Sequence, residues 1–295
     1  GGNKGNQLIQ LGGSLNSLAA TIVPVFVGYL MGDVASARIS DANPALFIAM
    51  AIFALAFVII FFSAIPEPEL EAAKAAPAKE SEGVVASVKG ALSHNNLLFG
   101  IIAIFVYVGV EVGIPNIANL YMTSGAEHGG LGIATGTAGT IVGLYWLLML
   151  CGRLVGGALG GKISSKHMMT GVSSVAILLV ILGIFIPESA VISLGTLADG
   201  AVVPVKILCF VLCGLCTSVM WGSIFNLAVE GLGKYTSIAS GVFMVMVCGG
   251  GILPYFQGLL ADVTSFVSSY WLIVVALGYM LCYTLFLSKP TPEEE

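Results

Sequence analysis

Residues 22–30 read I-V-P-V-F-V-G-Y-L, and residues 252–260 read I-L-P-Y-F-Q-G-L-L. Ile, Pro, Phe, Gly and Leu recur at the same offsets. Small residues precede each copy, Ala19-Ala20-Thr21 in the first and Gly249-Gly250-Gly251 in the second. An apolar motif that recurs within one chain points to a transporter assembled from repeats, with its site between them.

The composition around the two copies places them in lipid. The chain is 57% hydrophobic and 9% charged, whereas a soluble domain carries about 25% charged residues. Its mean hydropathy is +1.00. Such a chain cannot cover a water-facing surface, so its partner is the lipid bilayer. A net charge of -5 without a basic tract gives no sign of nucleic acid. The cysteines, Cys213 and Cys216 among them, fall inside apolar runs with no converging His. They read as small packing residues, with no metal and no cofactor implied.

A spanning helix needs about 20 apolar residues. Eight runs qualify: 8–31, 44–65, 96–122, 131–158, 167–187, 203–229, 237–261 and 266–287. Alternating runs suited to spanning strands are absent, so the fold class is an all-α membrane protein. Between the second and third runs lies a polar, Ala-, Lys- and Glu-rich stretch with several prolines. We read three parts: residues 1–65 as two helices of a first bundle, 66–95 as a linker, and 96–295 as a six-helix second bundle. The linker is expected to form in part an amphipathic surface helix.

Lys and Arg orient the chain. If the first span runs outward, Lys4, Lys74, Lys79, Lys89, Arg153, Lys162, Lys166, Lys234 and Lys289 fall on the cytoplasmic side. Arg38 and Lys206 fall on the other. The linker and both ends of the chain are then cytoplasmic. The two motif copies begin helices that both run outward, six helices apart. That is a parallel repeat, and it predicts a twelve-helix protein of which this chain carries the last eight.

At this point the chain resembles the major facilitator superfamily, and more narrowly its bacterial fucose and glucose/galactose proton symporters. The resemblance is carried by L-N-S-L-A-A-T-I-V-P-V-F-V-G at 15–28, F-V-Y-V-G-V-E-V at 105–112 and L-Y-W-L-L-M-L-C-G-R at 144–153. It continues in I-F-N-L-A-V-E-G-L-G-K-Y-T-S at 224–237 and in the block 240–262. It implies a partial major facilitator fold of helices five to twelve in a bacterial inner membrane. It also implies a monomer that imports a small sugar with protons by alternating access. Family carboxylates tied to coupling lie on helices one and four, outside this chain. Two positions depart from the family: Gly13 stands where many members have Gln, and Gly222 where Pro is frequent.

The polar residues within spans are the candidates for chemistry. Glu111 is the one acid near the middle of a span. A carboxylate in lipid must face a cavity or find a partner, which suits a proton-coupling residue and a sugar ligand; a helix-packing hydrogen bond is the plainer alternative. Tyr107 and Asn119 share its face, and Pro115 is expected to kink the helix and free carbonyls. Sugars are held by amides and carboxylates at the ring edge and by aromatic rings on the C–H face. Asn16, Tyr145, Trp146, Trp221 and Asn226 complete the candidate set, with lipid-facing packing an equal reading for the two tryptophans. Gln10 reads as a residue of the cytoplasmic mouth.

Arg153, in a stretch resembling the family's cytoplasmic loop motif, is expected to pair with Glu230 as a gate. Gly250 and Pro254 are expected to make a thin, bendable gating helix. The spans hold no Ser-His or Ser-Lys dyad, Asp pair or metal triad, so an enzyme is not expected. The alternative function is transport of another small solute, such as an organic acid or drug. An acid would call for a cation in the cavity, and Arg153 reads as too close to its helix end.

Overall fold

The computed structural model describes residues 12–23, 26, 40, 43–63, 83–160, 162–195 and 200–289. Gln10, most of the first motif copy, Arg38 and residues 66–82 of the linker lie outside the described residues, as do Lys4, Lys74 and Lys79. Eleven α-helices follow one another among the described residues. They are α1 (12–23), α2 (Asn43–Phe62), α3 (Val84–Leu92), α4 (Asn95–Thr123), α5 (Thr135–Leu159) and α6 (Ser165–Phe185). Then come α7 (Val205–Thr217), α8 (Met220–Val229), α9 (Thr236–Met246), α10 (Gly249–Val263) and α11 (Tyr270–Cys282). A π-helical turn, Tyr283–Leu287, extends α11.

Among the described residues, seven stretches are long and apolar enough to cross a membrane: α2, α4, α5, α6, α7 with α8, α9 with α10, and α11 with its π-turn. They coincide with seven of the eight expected spans, and α1 lies inside the remaining one. Two spans are each built from two helices. α7 gives way to α8 at Ser218–Val219, and α9 to α10 at Val247–Cys248. The sequence reading anticipated no strand. A short antiparallel hairpin nevertheless closes the loop after α6, pairing β1 (Val191–Ser193) with β2 (Val202–Pro204). Three-residue strands cannot span a bilayer, so the fold class is unaffected.

α4 is the hub of the helix packing, lying against α10, α8, α11, α7 and α5. Its buried residues run from Asn96 to Met122 on more than one face, as expected of a helix enclosed by others. Missing side chains bring the backbones together. A Cβ on Gly249 of α10 would overlap the Phe105 carbonyl oxygen of α4. One on Gly214 of α7 would overlap the Tyr145 carbonyl of α5. Small residues at crossings are the usual means of close packing in membranes. Phe210 and Tyr270 stack at 3.8 Å in the core between α7 and α11. α2 buries none of its residues and is apolar all round.

Polar side chains tie the helix ends. The buried Asn96 amide donates to the carbonyls of Leu227 (3.3 Å), Ala228 (3.1 Å) and Glu230 (2.8 Å), satisfying groups that the end of α8 leaves open. At the opposite end, the Tyr121 hydroxyl donates to Glu188 at 2.6 Å, and the buried Lys206 ammonium lies 3.7 Å from the same carboxylate.

Candidate functional site

Pro115 sits inside α4 and has no N–H, so the carbonyl four residues earlier, that of Glu111, loses its helical partner. The Tyr145 hydroxyl from α5 donates to that carbonyl at 3.1 Å. The same hydroxyl lies 3.1 Å from the Thr217 hydroxyl of α7. Tyr107, one turn before Glu111, donates to the Thr217 carbonyl at 3.1 Å. The proline therefore opens the helix at the residue that carries the acid, and two tyrosines lock the opening against α5 and α7.

The Glu111 carboxylate meets Arg153 of α5, with Oε1 and Nη2 3.0 Å apart; the side chains are 12% and 7% exposed. Arg153 Nε donates to the Ser218 carbonyl at 3.3 Å, at the break between α7 and α8. Nη1 donates to the Gly13 carbonyl of α1. One guanidinium thus joins α1, α4, α5 and the α7–α8 break. Gly13 leaves room for it, because a Cβ there would stand 3.3 Å from Arg153 Cδ.

This pair lies on the wall of a cavity of about 590 Å³, lined by Gly12, Gly13, Asn16, Ala20, Val108, Glu111, Val112, Trp146, Arg153, Ser218, Trp221, Gly222 and Val247. Its volume lies within the range of small-molecule sites. Both tryptophans that the sequence left undecided line it. Trp146 meets Tyr145 edge-on at 5.3 Å, and Trp221 stacks on Phe225 at 5.5 Å. Each indole is thereby held beside the ion pair.

The structure gathers Asn16, Glu111, Trp146, Trp221 and Arg153 on one cavity. It does not gather the others. Tyr107 and Tyr145 are buried behind the wall, where they hold α4. Asn119 is half-buried and off the cavity, and its carbonyl accepts from the Thr123 hydroxyl. The Asn226 amide turns to the Ser165 hydroxyl of α6 at 3.4 Å. The expected Arg153–Glu230 pair does not form. Arg153 is committed to Glu111 because α4 delivers a carboxylate to it within the bilayer span, whereas Glu230 lies past the end of α8. Arg153 stands in the last two turns of α5, as expected, and from there it also lines the cavity. Gly250 packs onto α4, where a Cβ would meet Val108 at 2.8 Å, and Pro254 is half-buried inside α10.

Thr217 and Ser218 are not among the site candidates read from the sequence, and Gly13 entered only as a departure from the family. Gly13 and Ser218 contribute backbone carbonyls to Arg153, a role that no side-chain pattern in the sequence announces. Among the described residues no group of His, Cys, Asp and Glu is arranged to hold a metal. All six cysteines are free.

The Major Facilitator Superfamily model matches residues 11–253, and the chain belongs to that family. It is an integral membrane protein with a partial major facilitator fold. More particularly, it is 29% identical over 289 residues to a glucose/galactose transporter of Brucella abortus. That match covers 94% of this chain and 62% of the relative, so the chain spans about three fifths of the relative's length. Two solved structures share the fold. One is the Major Facilitator Superfamily transporter FucP in its outward conformation, with TM-score 0.69, 17% identity, and coverage of 98% of this chain and 70% of that one. The other is a variant of the E. coli fucose:proton symporter FucP, with TM-score 0.72 at the same identity and coverage. The relatives are transporters, not enzymes.

Proposed function

We propose that this chain is the larger part of a secondary transporter that carries a neutral monosaccharide of the fucose, glucose or galactose type across a bacterial inner membrane. The observation that carries this reading is the cavity, whose wall combines an ion pair, the Asn16 amide and two indoles. Amide and carboxylate groups suit sugar hydroxyls, and indole faces suit the apolar face of a pyranose. The activities for which the relatives are named point the same way.

In this reading Glu111 carries the coupled proton and binds the sugar edge with Asn16, while Trp146 and Trp221 hold its face. Tyr107 and Tyr145 act through Glu111 by fixing its helix. Sugar binds between two bundles that rock about it, α1 and α2 belonging to the first and residues 96–295 to the second. Residues 66–95 link them on the cytoplasmic side, where both ends of the chain also lie. Arg153, bridging α4 to α1, and the break before Gly250 and Pro254 are the gating elements; Glu230 acts only through its carbonyl contact with Asn96. The protein works as a monomer. A cation on the cavity wall would suit an organic acid, but Arg153 is already neutralised by Glu111.

Uptake of labelled fucose, galactose, glucose and mannose by the intact protein in proteoliposomes tests the reading. One sugar is expected to accumulate, and faster under an inward proton gradient. Glu111→Gln is expected to keep sugar exchange and lose the response to the gradient. Absence of uptake for every sugar would sink the proposal.

A further inference from the structure

Resting on the neutral-sugar reading, we infer that the Glu111–Arg153 pair is a charge filter, and that this site becomes a receptor for sugar acids once the Glu111 carboxylate is removed. Arg153 is anchored without help from Glu111. Its Nε and Nη1 are held by the carbonyls of Ser218 and Gly13, on two different elements. The third observed bond, from Nη2, is the one that Glu111 takes. A guanidinium carries five N–H donors in a planar fork that matches a carboxylate in two places. The structure thus presents an aimed cation on a cavity wall, with a built-in carboxylate occupying the position that a ligand carboxylate would take.

Two consequences follow from charge alone. With Glu111 ionised, an incoming acid meets an occupied fork and a like charge, and is rejected. A neutral sugar meets neither penalty and hydrogen-bonds to the pair. Selectivity then comes from a repulsive element as much as from attraction. Without the Glu111 carboxylate, the Arg153 charge has no counter-ion among the described residues, and an anionic ligand supplies one. Glu111→Ala also leaves the space of the lost side chain beside the fork. A pyranose bearing a carboxylate in place of its exocyclic hydroxymethyl group has the matching chemistry.

The test measures binding of D-galactose and D-galacturonate to the intact protein in detergent, by quenching of tryptophan fluorescence and by calorimetry. It uses the wild type, Glu111→Ala, Glu111→Gln and the double variant Glu111→Ala/Arg153→Gln. The wild type is expected to bind galactose and to bind galacturonate at least about tenfold more weakly, a charge-assisted contact being worth that much or more. Both single variants are expected to gain at least about tenfold for galacturonate, and the double variant to lose that gain. Glu111→Gln keeps the volume of the side chain and decides the matter if Glu111→Ala does not fold. Folded single variants without the gain, or a gain that persists in the double variant, would overturn the filter. A wild type that binds no neutral sugar would overturn the sugar reading instead, and galacturonate binding by the single variants would still decide the filter.

Discussion

Arg153 donates to acceptors on three elements outside its own helix, so its charge and its geometry can be separated by substitution. Removing one member of a buried ion pair strands the other, at a cost of about 3–5 kcal/mol. Arg153→Gln is therefore expected to lower stability by that amount in thermal unfolding in detergent. The double variant Arg153→Gln/Glu111→Gln is expected to recover most of it. Equal losses in the single and double variants would mean that the two charges do not pair. Tyr145 tests the neighbouring group. Tyr145→Phe removes its contacts with the Glu111 carbonyl and the Thr217 hydroxyl, and should cost about 1–3 kcal/mol.

At the scale of the element, breaks and close approaches decide where these side chains arrive. Pro115 opens α4 at the Glu111 carbonyl, and Tyr145 fills the opening. Pro115→Ala returns an N–H to the helix and gives that carbonyl an alternative partner. The cost of Tyr145→Phe should then be smaller in the Pro115→Ala background, read from a double-mutant cycle of melting curves. A full cost in both backgrounds would show that the hydroxyl serves some other partner. The crossing of α4 and α10 makes a second demand. Because a Cβ at residue 249 would overlap the Phe105 carbonyl, Gly249→Ala must push the helices apart. Overpacking of this kind costs about 1–3 kcal/mol. Wild-type stability in Gly249→Ala would contradict the close approach.

For the molecule as a whole, the distribution of Lys and Arg makes a prediction about sidedness. Ser93, between α3 and α4, and Ser189, in the loop after α6, are both exposed and lie at opposite ends of the bundle's spans. In a background without the native cysteines, Ser93→Cys should react with a membrane-impermeant maleimide only in inside-out vesicles. Ser189→Cys should react only in right-side-out ones. The reverse pattern would invert the proposed topology. The bare surface of α2 fits the same picture: a helix apolar on every side needs no partner within this chain to be stable in lipid.

Span positions were legible in the sequence because hydrophobicity along the chain is a local property. The bilayer leaves the backbone no alternative but to satisfy itself within helices. The acid at Glu111 was legible for the same reason, since a lone carboxylate stands out in an apolar run. Its partner was not. Which cation reaches it depends on how α4 packs against α5, where α7 breaks and how closely Gly13 admits the guanidinium, and those are distances between helices. Local pattern equally could not tell a tryptophan facing lipid from one facing a cavity, because both surfaces ask for an apolar ring. Only packing in three dimensions turned Trp146 and Trp221 inward, set Tyr145 behind the wall, and gave Asn226 to Ser165.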